Sequence, residues 1–135
     1  MAYWLLKTEP STYSFAMLVH DKRATWDGVS NPVALKHMRT IQKGDTVLVY
    51  HTGDEKSVVG VAVAASDPYP DPKLADAKRT VIELKPERAL ATPVPLATFR
   101  TDPVLKSTEL VRLPRLSVMP LSAEQLKRVL ELGGA

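Results

Sequence analysis

Eleven prolines are spread over the 135 residues of this chain, and they limit how long its helices and strands can be. A proline lacks an N–H donor and fixes its own φ angle, so it interrupts helices and is excluded from the centre of a sheet. Short apolar runs lie between the prolines. We therefore predict an α+β fold, with a small, curled, mainly antiparallel sheet or barrel decorated by short helices.

Five short runs of β-branched, aromatic or alternating residues indicate strands. They lie at 3–7, 46–50, 57–65, 80–89 and 116–119. The second and third runs are separated by a short polar loop, which predicts a β-hairpin. Gly60 within this hairpin indicates a bulge or a close backbone approach. Residues 67–72 hold three prolines and are expected to be irregular, and residues 92–95 are expected to form a turn.

Capping residues and apolar periodicity indicate three helices. The first is expected over 13–19, with Ser11 or Thr12 as its cap. The second is expected over 32–39, because Pro32 suits a first helical position and Asn31 can cap it. The third is expected over 123–132, capped by Ser122 and ended by two glycines. One-turn helical pieces are expected at 96–100 and 104–106.

Composition limits the class of protein. A chain of this length is most simply one domain, here residues 1–135, and is long enough to bury a core. The absence of cysteine excludes disulfides and thiolate chemistry. A formal charge of +3 and a pI near 9.2 mildly favour a polyanionic partner. The N-terminus lacks the length of a signal peptide or membrane span, so we expect a cytoplasmic protein with no membrane partner. No long apolar helix is left without a partner, which favours a monomer.

The segment TWDGVSNPVALKHMR, residues 25–39, suggests a recognition site. Trp26 precedes an Asp-Gly turn pair, which places a flat aromatic ring on a glycine-hinged loop close to a helix start. Such a ring can stack on a planar ligand, and the amide of Asn31 can read the polar edge of that ligand. Two simpler interpretations remain open: Trp26 packs in the core, and Asn31 only caps a helix. Trp4, inside a strand, is expected in the core.

Further candidates lie at the ends of strands and in loops. The run from Lys7 to Ser11 breaks at Pro10, so its backbone groups could be left for a ligand, although a strand ending in a turn explains it equally. His51 and Tyr69 could line a pocket, or could be ordinary surface or loop residues. Arg115 could hold a phosphate. The other scattered basic residues, among them Lys22, Lys36 and Arg39, are candidates for nucleic-acid backbone contacts or simply a solvated face.

The sequence carries no motif for catalysis or for metal or cofactor binding. It has no GxSxG, P-loop or Rossmann glycine pattern, and its three histidines lack metal-ligand spacing. We therefore expect no enzyme activity, no cofactor and no metal site. An enzyme that acts on a nucleotide is a less favoured alternative, because the zinc-deaminase signature HxE…PCxxC is missing.

Five segments together resemble the EVE domain family of PUA-like domains. They occur in the family's order and cover nearly the whole chain: YWLLKTEPSTYSF, TWDGVSNPVALKHMR, KGDTVLVYHT, VVGVAVAASDPYPDP and RLSVMPLSAEQ. The first is the most specific. The chain departs from the family pattern at Ser30, where many relatives have arginine, and at Thr52, where serine is common.

The resemblance implies a PUA-like barrel, related to YTH domains, that binds DNA or RNA carrying a modified base without catalysis. By position, the base-binding residues would be Lys7, Thr8, Ser11, Trp26, Asn31, Tyr50, His51, Tyr69 and Asp71. The phosphate-binding candidates remain Lys22, Lys36, Arg39 and Arg115. The alternative is an interaction module of the same fold that binds a protein or a small metabolite.

Overall fold

The computed structural model describes residues 1–74, 76 and 78–135. Its strands are β1 (Tyr3–Thr8), β2 (Ala24–Trp26), β3 (Thr46–His51), β4 (Ser57–Ala64), β5 (Tyr69–Pro70), β6 (Thr80–Pro95) and β7 (Val118–Leu121). Its α-helices are α1 (Phe15–Asp21), α2 (Pro32–Met38), α3 (Leu96–Thr101), α4 (Glu109–Arg112) and α5 (Ala123–Leu132), with a 3-10 turn at Leu105–Ser107.

The strands form one curled sheet in the order β2-β6-β4-β3-β1-β7, and β5 pairs with β6. All the described pairs are antiparallel except β1 with β3. The apolar run Trp4-Leu5-Leu6 is buried in β1, which lies between β3 and β7. The predicted fold class, a small, curled, mainly antiparallel sheet with short helices, is therefore confirmed.

The prolines do not keep every strand short. β6 has 16 residues and includes Pro86, Pro93 and Pro95, so the turn predicted at 92–95 is wrong. The pairing of β4 with β6 shifts register twice. In one shift, Gly60 pairs with Ala89 and Val58 pairs with Val94, so β6 contributes more residues than β4 between these two pairs. The residues of β6 between Ala89 and Val94, which include Pro93, have no partner in β4, whereas Pro86 and Pro95 keep partners there.

The predicted hairpin of β3 and β4 is confirmed, and Gly60 fulfils both readings offered for it. The register shifts beside Gly60, which is a bulge. A Cβ at this position would also lie 2.5 Å from the ring of Phe15, the first residue of α1. The missing side chain thus lets α1 pack directly on the sheet backbone.

The helix caps agree with the sequence at two of three positions. Asn31 caps α2, and Ser122 caps α5 in a reciprocal capping box with Gln125. The first helix, however, is capped by Ser14 rather than by Ser11 or Thr12. The N–H groups of Thr12 and Tyr13 both donate to the carbonyl of Glu9, and this turn delays the helix.

Two differences occur near the C-terminus. Helix α4 was not predicted, because its four residues are too few to show a period. Strand β7 begins at Val118, two residues later than expected, and contains Pro120. A proline is tolerated there because β7 lies at the edge of the sheet and pairs only with β1.

Trp4 lies in the hydrophobic core, as predicted, with 6% of its surface exposed. Its indole Nε1 donates to a carboxylate oxygen of Asp45 at 3.0 Å. The buried Asp45 also accepts from the backbone N–H groups of Ala2 and Gln42. Within the described part of the chain, the helices are all too short or too polar to cross a membrane.

Candidate functional site

A cleft of about 560 Å³ opens between the end of β1, the segment that follows β2, and the loop before β7. This volume falls within the usual range for small-molecule sites. Its lining residues are Lys7, Thr8, Glu9, Thr12, Tyr13, Ala24, Thr25, Trp26, Asp27, Gly28, Val29, Ser30, Asn31 and Ser117. The cleft therefore brings together the two segments that sequence analysis selected, 7–11 and 25–39.

Trp26 belongs both to the core and to the cleft. It ends β2, where it pairs with Ile82 of β6, so the predicted position on a free loop is wrong. Only 8% of its surface is exposed. Its Nε1 has no hydrogen-bond acceptor among the described residues. Glu109 Oε2 is the only fully buried side-chain nitrogen or oxygen atom in that part of the chain that lacks a hydrogen-bond partner. The indole N–H therefore keeps some exposure, and Trp26 is one of the residues that line the cleft.

Tyr13 supports Trp26 from the side and was missed by sequence analysis. Their ring centroids lie 6.2 Å apart at 84°, an edge-to-face arrangement. The Tyr13 hydroxyl donates to Asp21 at 2.8 Å. Burial, and then the Asp21 carboxylate, raises the pKa of Tyr13 to about 12, so the phenol stays neutral at physiological pH. The only signal in the sequence was its place in the first family motif, where it was assigned to a helix.

Asn31 divides its amide between two tasks. The side-chain oxygen accepts from the N–H groups of Val33 at 2.9 Å and Ala34 at 3.1 Å, which caps α2. Its NH2 group has no partner in the part of the chain that the structure describes, and Asn31 borders the cleft. The cap therefore occupies the acceptor and leaves the two donors for a ligand.

The turn between Trp26 and α2 adds unpaired backbone donors. Gly28 has φ +77, and the N–H groups of residues 27–31 have no acceptor among the described residues. An L side chain rarely adopts such a φ angle, so glycine suits this turn. Together with the indole and the Asn31 amide, these groups give the cleft a donor-rich side.

The backbone groups at the end of β1 have more hydrogen-bond partners within the protein than predicted. The Lys7 N–H donates to the carbonyl of Ser117, and the Thr8 carbonyl accepts from Thr52, so these backbone groups are not free for a ligand. The Lys7 ammonium donates to the carbonyl of Pro114 at 2.8 Å and lies 5.7 Å from the centroid of the Tyr50 ring. Burial lowers the pKa of Lys7.

Three predicted base-binding residues, Ser11, Tyr50 and His51, are not among the residues that line the cleft. Tyr50 is 3% exposed. His51 accepts from the backbone N–H of Phe15 through Nε2 and contacts Glu55 through Nδ1 at 2.7 Å, so both ring nitrogens are engaged. Ser11 is exposed, and its hydroxyl donates to Glu9 at 3.1 Å. The bond between Phe15 and His51 is a tertiary contact that the sequence does not reveal.

The Tyr69 loop also stays outside the cleft. The Tyr69 hydroxyl donates to Glu83, which accepts as well from Thr25 at 2.8 Å and faces Arg23 at 3.4 Å. This network anchors β2, the strand that ends in Trp26. Asp71 is buried and accepts from the N–H of Lys73, so it stabilises a turn.

The four candidate phosphate-binding residues, Lys22, Lys36, Arg39 and Arg115, are all exposed, and none lines the cleft itself. Arg39 approaches the carbonyl of Lys78 at 3.5 Å. Arg115 borders a second groove, which shares Asn31 with the cleft. Their role as phosphate ligands stays a prediction.

The arrangement suits binding of a flat polar molecule. Two aromatic side chains, Tyr13 and Trp26, line the cleft together with residues 27–31, whose N–H groups have no acceptor among the described residues. Within residues 1–74, 76 and 78–135, no group of three or more His, Asp or Glu side chains is placed to hold a metal ion.

Solved structures with the same fold come from several organisms. Rpa0253 from Rhodopseudomonas palustris is 38% identical, with a TM-score of 0.94, 99% of this chain covered and 94% of that one. Human THYN1, solved in complex with DNA containing 5-methylcytosine, is 24% identical, with a TM-score of 0.90, 100% of this chain covered and 99% of that one. The latter likeness establishes the shared fold.

The sequence also matches characterised relatives and a family model. Thymocyte nuclear protein 1 from Mus musculus is 27% identical over 96% of this chain and 73% of its own length. The human protein is 26% identical over 97% of this chain and 73% of its own length. The model of the EVE domain matches residues 2–132. The chain therefore belongs to the EVE domain family.

Proposed function

We propose that this protein binds DNA that carries a modified base and holds that base in the cleft beside Trp26, without catalysing a reaction. One observation carries the proposal: Trp26 and five consecutive residues whose N–H groups have no acceptor in the described part of the chain line the same cleft. Support also comes from human THYN1, which was solved in complex with DNA containing 5-methylcytosine.

The base must leave the DNA stack to enter the cleft. Flipping costs a few kcal/mol, and least where the base is already unpaired, while contact with one aromatic ring returns about 1–3 kcal/mol. These two amounts nearly cancel. Affinity must therefore come from hydrogen bonds in the cleft and from phosphate contacts outside it, and we expect it to fall steeply as salt rises.

On the side formed by residues 26–31 the cleft favours a base edge that presents acceptors, while the carboxylates of Glu9 and Asp27 in the same lining can accept from a donor. The available donors are the indole N–H of Trp26, the amide of Asn31 and the backbone N–H groups of residues 27–31. Ala24 and Val29 add apolar surface to the same lining, which suits a base carrying an added methyl group.

Trp26→Phe tests the site. Phenylalanine keeps an apolar ring but removes the indole N–H, so we expect affinity for an oligonucleotide with one 5-methylcytosine to fall by roughly tenfold. Fluorescence anisotropy with a labelled strand measures this, with the unmodified strand and the same sequence in RNA as competitors. Alanine is a poorer choice, because emptying so buried a site costs about 3–5 kcal/mol of stability.

Trp4→Phe is the matched control. Trp4 is as buried as Trp26 but donates to Asp45 in the core, away from the cleft. Its variant should lose stability and retain affinity. If a folded Trp26→Phe protein bound the modified strand like the parent, or if modified and unmodified strands bound equally, the proposed site would be wrong.

A further inference from the structure

A second groove of about 350 Å³ lies beside the cleft. Its lining residues are Asn31, Val33, Leu113, Pro114, Arg115 and Leu116. Val33 and Leu113 are 50% and 47% exposed, so two of the large apolar side chains left on the described surface share this groove. These two side chains lie together in one groove rather than scattered singly over the surface.

The groove and the cleft are neighbours that share a residue and are linked by hydrogen bonds. Asn31 borders both. The ammonium of Lys7, a cleft residue, donates to the carbonyl of Pro114 in the groove wall at 2.8 Å. The N–H of Lys7 also donates to Ser117, just after the groove, at 3.0 Å. These two bonds fix the position of the groove wall relative to β1, so one ligand can span both sites.

The charge of the groove is complementary to a phosphate. Arg115 is exposed, and it forms no ion pair with an acidic side chain among the described residues. The groove lining contains no acidic residue. A free guanidinium can hold a phosphate through two parallel hydrogen bonds.

We propose that this groove binds the nucleotide next to the modified base in the same strand, an inference that rests on the proposed function of the cleft. The sugar and base of that nucleotide pack on Val33 and Leu113, and its phosphate lies on Arg115. A nucleotide combines apolar faces with one negative charge, and the groove offers the matching pair. A purely apolar protein segment has no use for the cation at the rim.

Two ligands separate the groove from the cleft: the nucleoside 5-methyl-2′-deoxycytidine, which fills the cleft alone, and a single-stranded heptanucleotide with a central 5-methylcytosine. We expect Arg115→Gln to weaken heptanucleotide binding by roughly tenfold and to lower its salt slope by about one. Leu113→Ser should weaken it by about threefold. Neither variant should change nucleoside binding, measured by NMR chemical-shift titration.

Arg112→Gln is the charge-matched control, because Arg112 lies three residues away and borders a different, polar pocket. It should bind both ligands like the parent. If the nucleoside binds and both groove variants hold the heptanucleotide normally, the groove proposal is overturned and the proposed function stands. If neither ligand binds the parent, both fall. If Leu113→Ser instead dissociates a dimer seen by analytical ultracentrifugation, the groove is a contact between copies and the nucleotide proposal is wrong.

Discussion

The oxygen and the NH2 group of the Asn31 amide have different roles. As a cap it needs only its oxygen, which receives two N–H groups at the start of α2. As a ligand-binding residue it has only its NH2 group to offer. Sequence analysis treated these roles as competitors, whereas the geometry assigns one atom to each. An acceptor on the ligand, rather than a matched donor and acceptor pair, is therefore the expected partner.

Substitutions at Asn31 should separate stability from binding. Asn31→Ser retains a capping oxygen and should unfold with nearly the parental free energy, whereas Asn31→Ala should lose about 1 kcal/mol. Both variants lack the amide donors and should bind a 5-methylcytosine strand several-fold more weakly. Urea denaturation and anisotropy titrations measure the two quantities. Normal binding by the serine variant would exclude the amide from recognition.

At the scale of the elements, two of the three helix caps were predictable and the long-range strand pairings were not. Ser122 and Asn31 are recognisable as caps because they bond N–H groups within the next three residues. The length of β6 depends instead on its pairing with β2 and β4, which lie farther away in sequence, and the position of Tyr13 beside Trp26 is likewise a tertiary contact. Local patterns therefore located the cleft segments but misjudged which of their side chains face it.

The contact between α1 and β4 depends on the absence of a side chain at Gly60. In Gly60→Ala the new methyl would meet the Phe15 ring at 2.5 Å, which neither α1 nor the sheet can relieve without shifting. We expect a loss of about 1–3 kcal/mol in the free energy of unfolding, measured by urea denaturation.

A double-mutant cycle with Phe15→Leu is the control. The smaller side chain should relieve most of the overlap, so the loss caused by Gly60→Ala should shrink in that background. Equal losses in both backgrounds would place the strain in the backbone of the bulge instead.

For the whole molecule, Asp102 joins the C-terminal helices to one another. Burial alone would raise the pKa of this carboxyl, but Arg128 at 2.8 Å and the N–H groups of Val104 and Leu105 outweigh it and lower the pKa below 3.8. A carboxyl with a depressed folded pKa stabilises the protein above its unfolded value. That contribution disappears as the pH falls through the folded pKa.

Thermal unfolding between pH 7 and pH 2.5 should therefore show a loss of stability below about pH 4 that Asp102→Asn reduces. The asparagine variant should be less stable than the parent at pH 7 and should approach it in acid. Glu131→Gln, which removes the more distant carboxylate of the same arginine at 3.8 Å, should leave the profile nearly unchanged. Parallel profiles for Asp102→Asn and the parent would contradict this assignment.

The two tryptophans of the chain have different surroundings. The indole of Trp4 is locked to a buried carboxylate, whereas that of Trp26 meets a tyrosine edge and opens towards the cleft. If the cleft binds a base as proposed, we expect ultraviolet emission from the protein to combine a constant contribution from Trp4 with a contribution from Trp26 that responds to occupancy. Quenching or a wavelength shift on titration would then be assigned to the Trp26 indole. Ligand binding would be followed by intrinsic fluorescence, without an added dye.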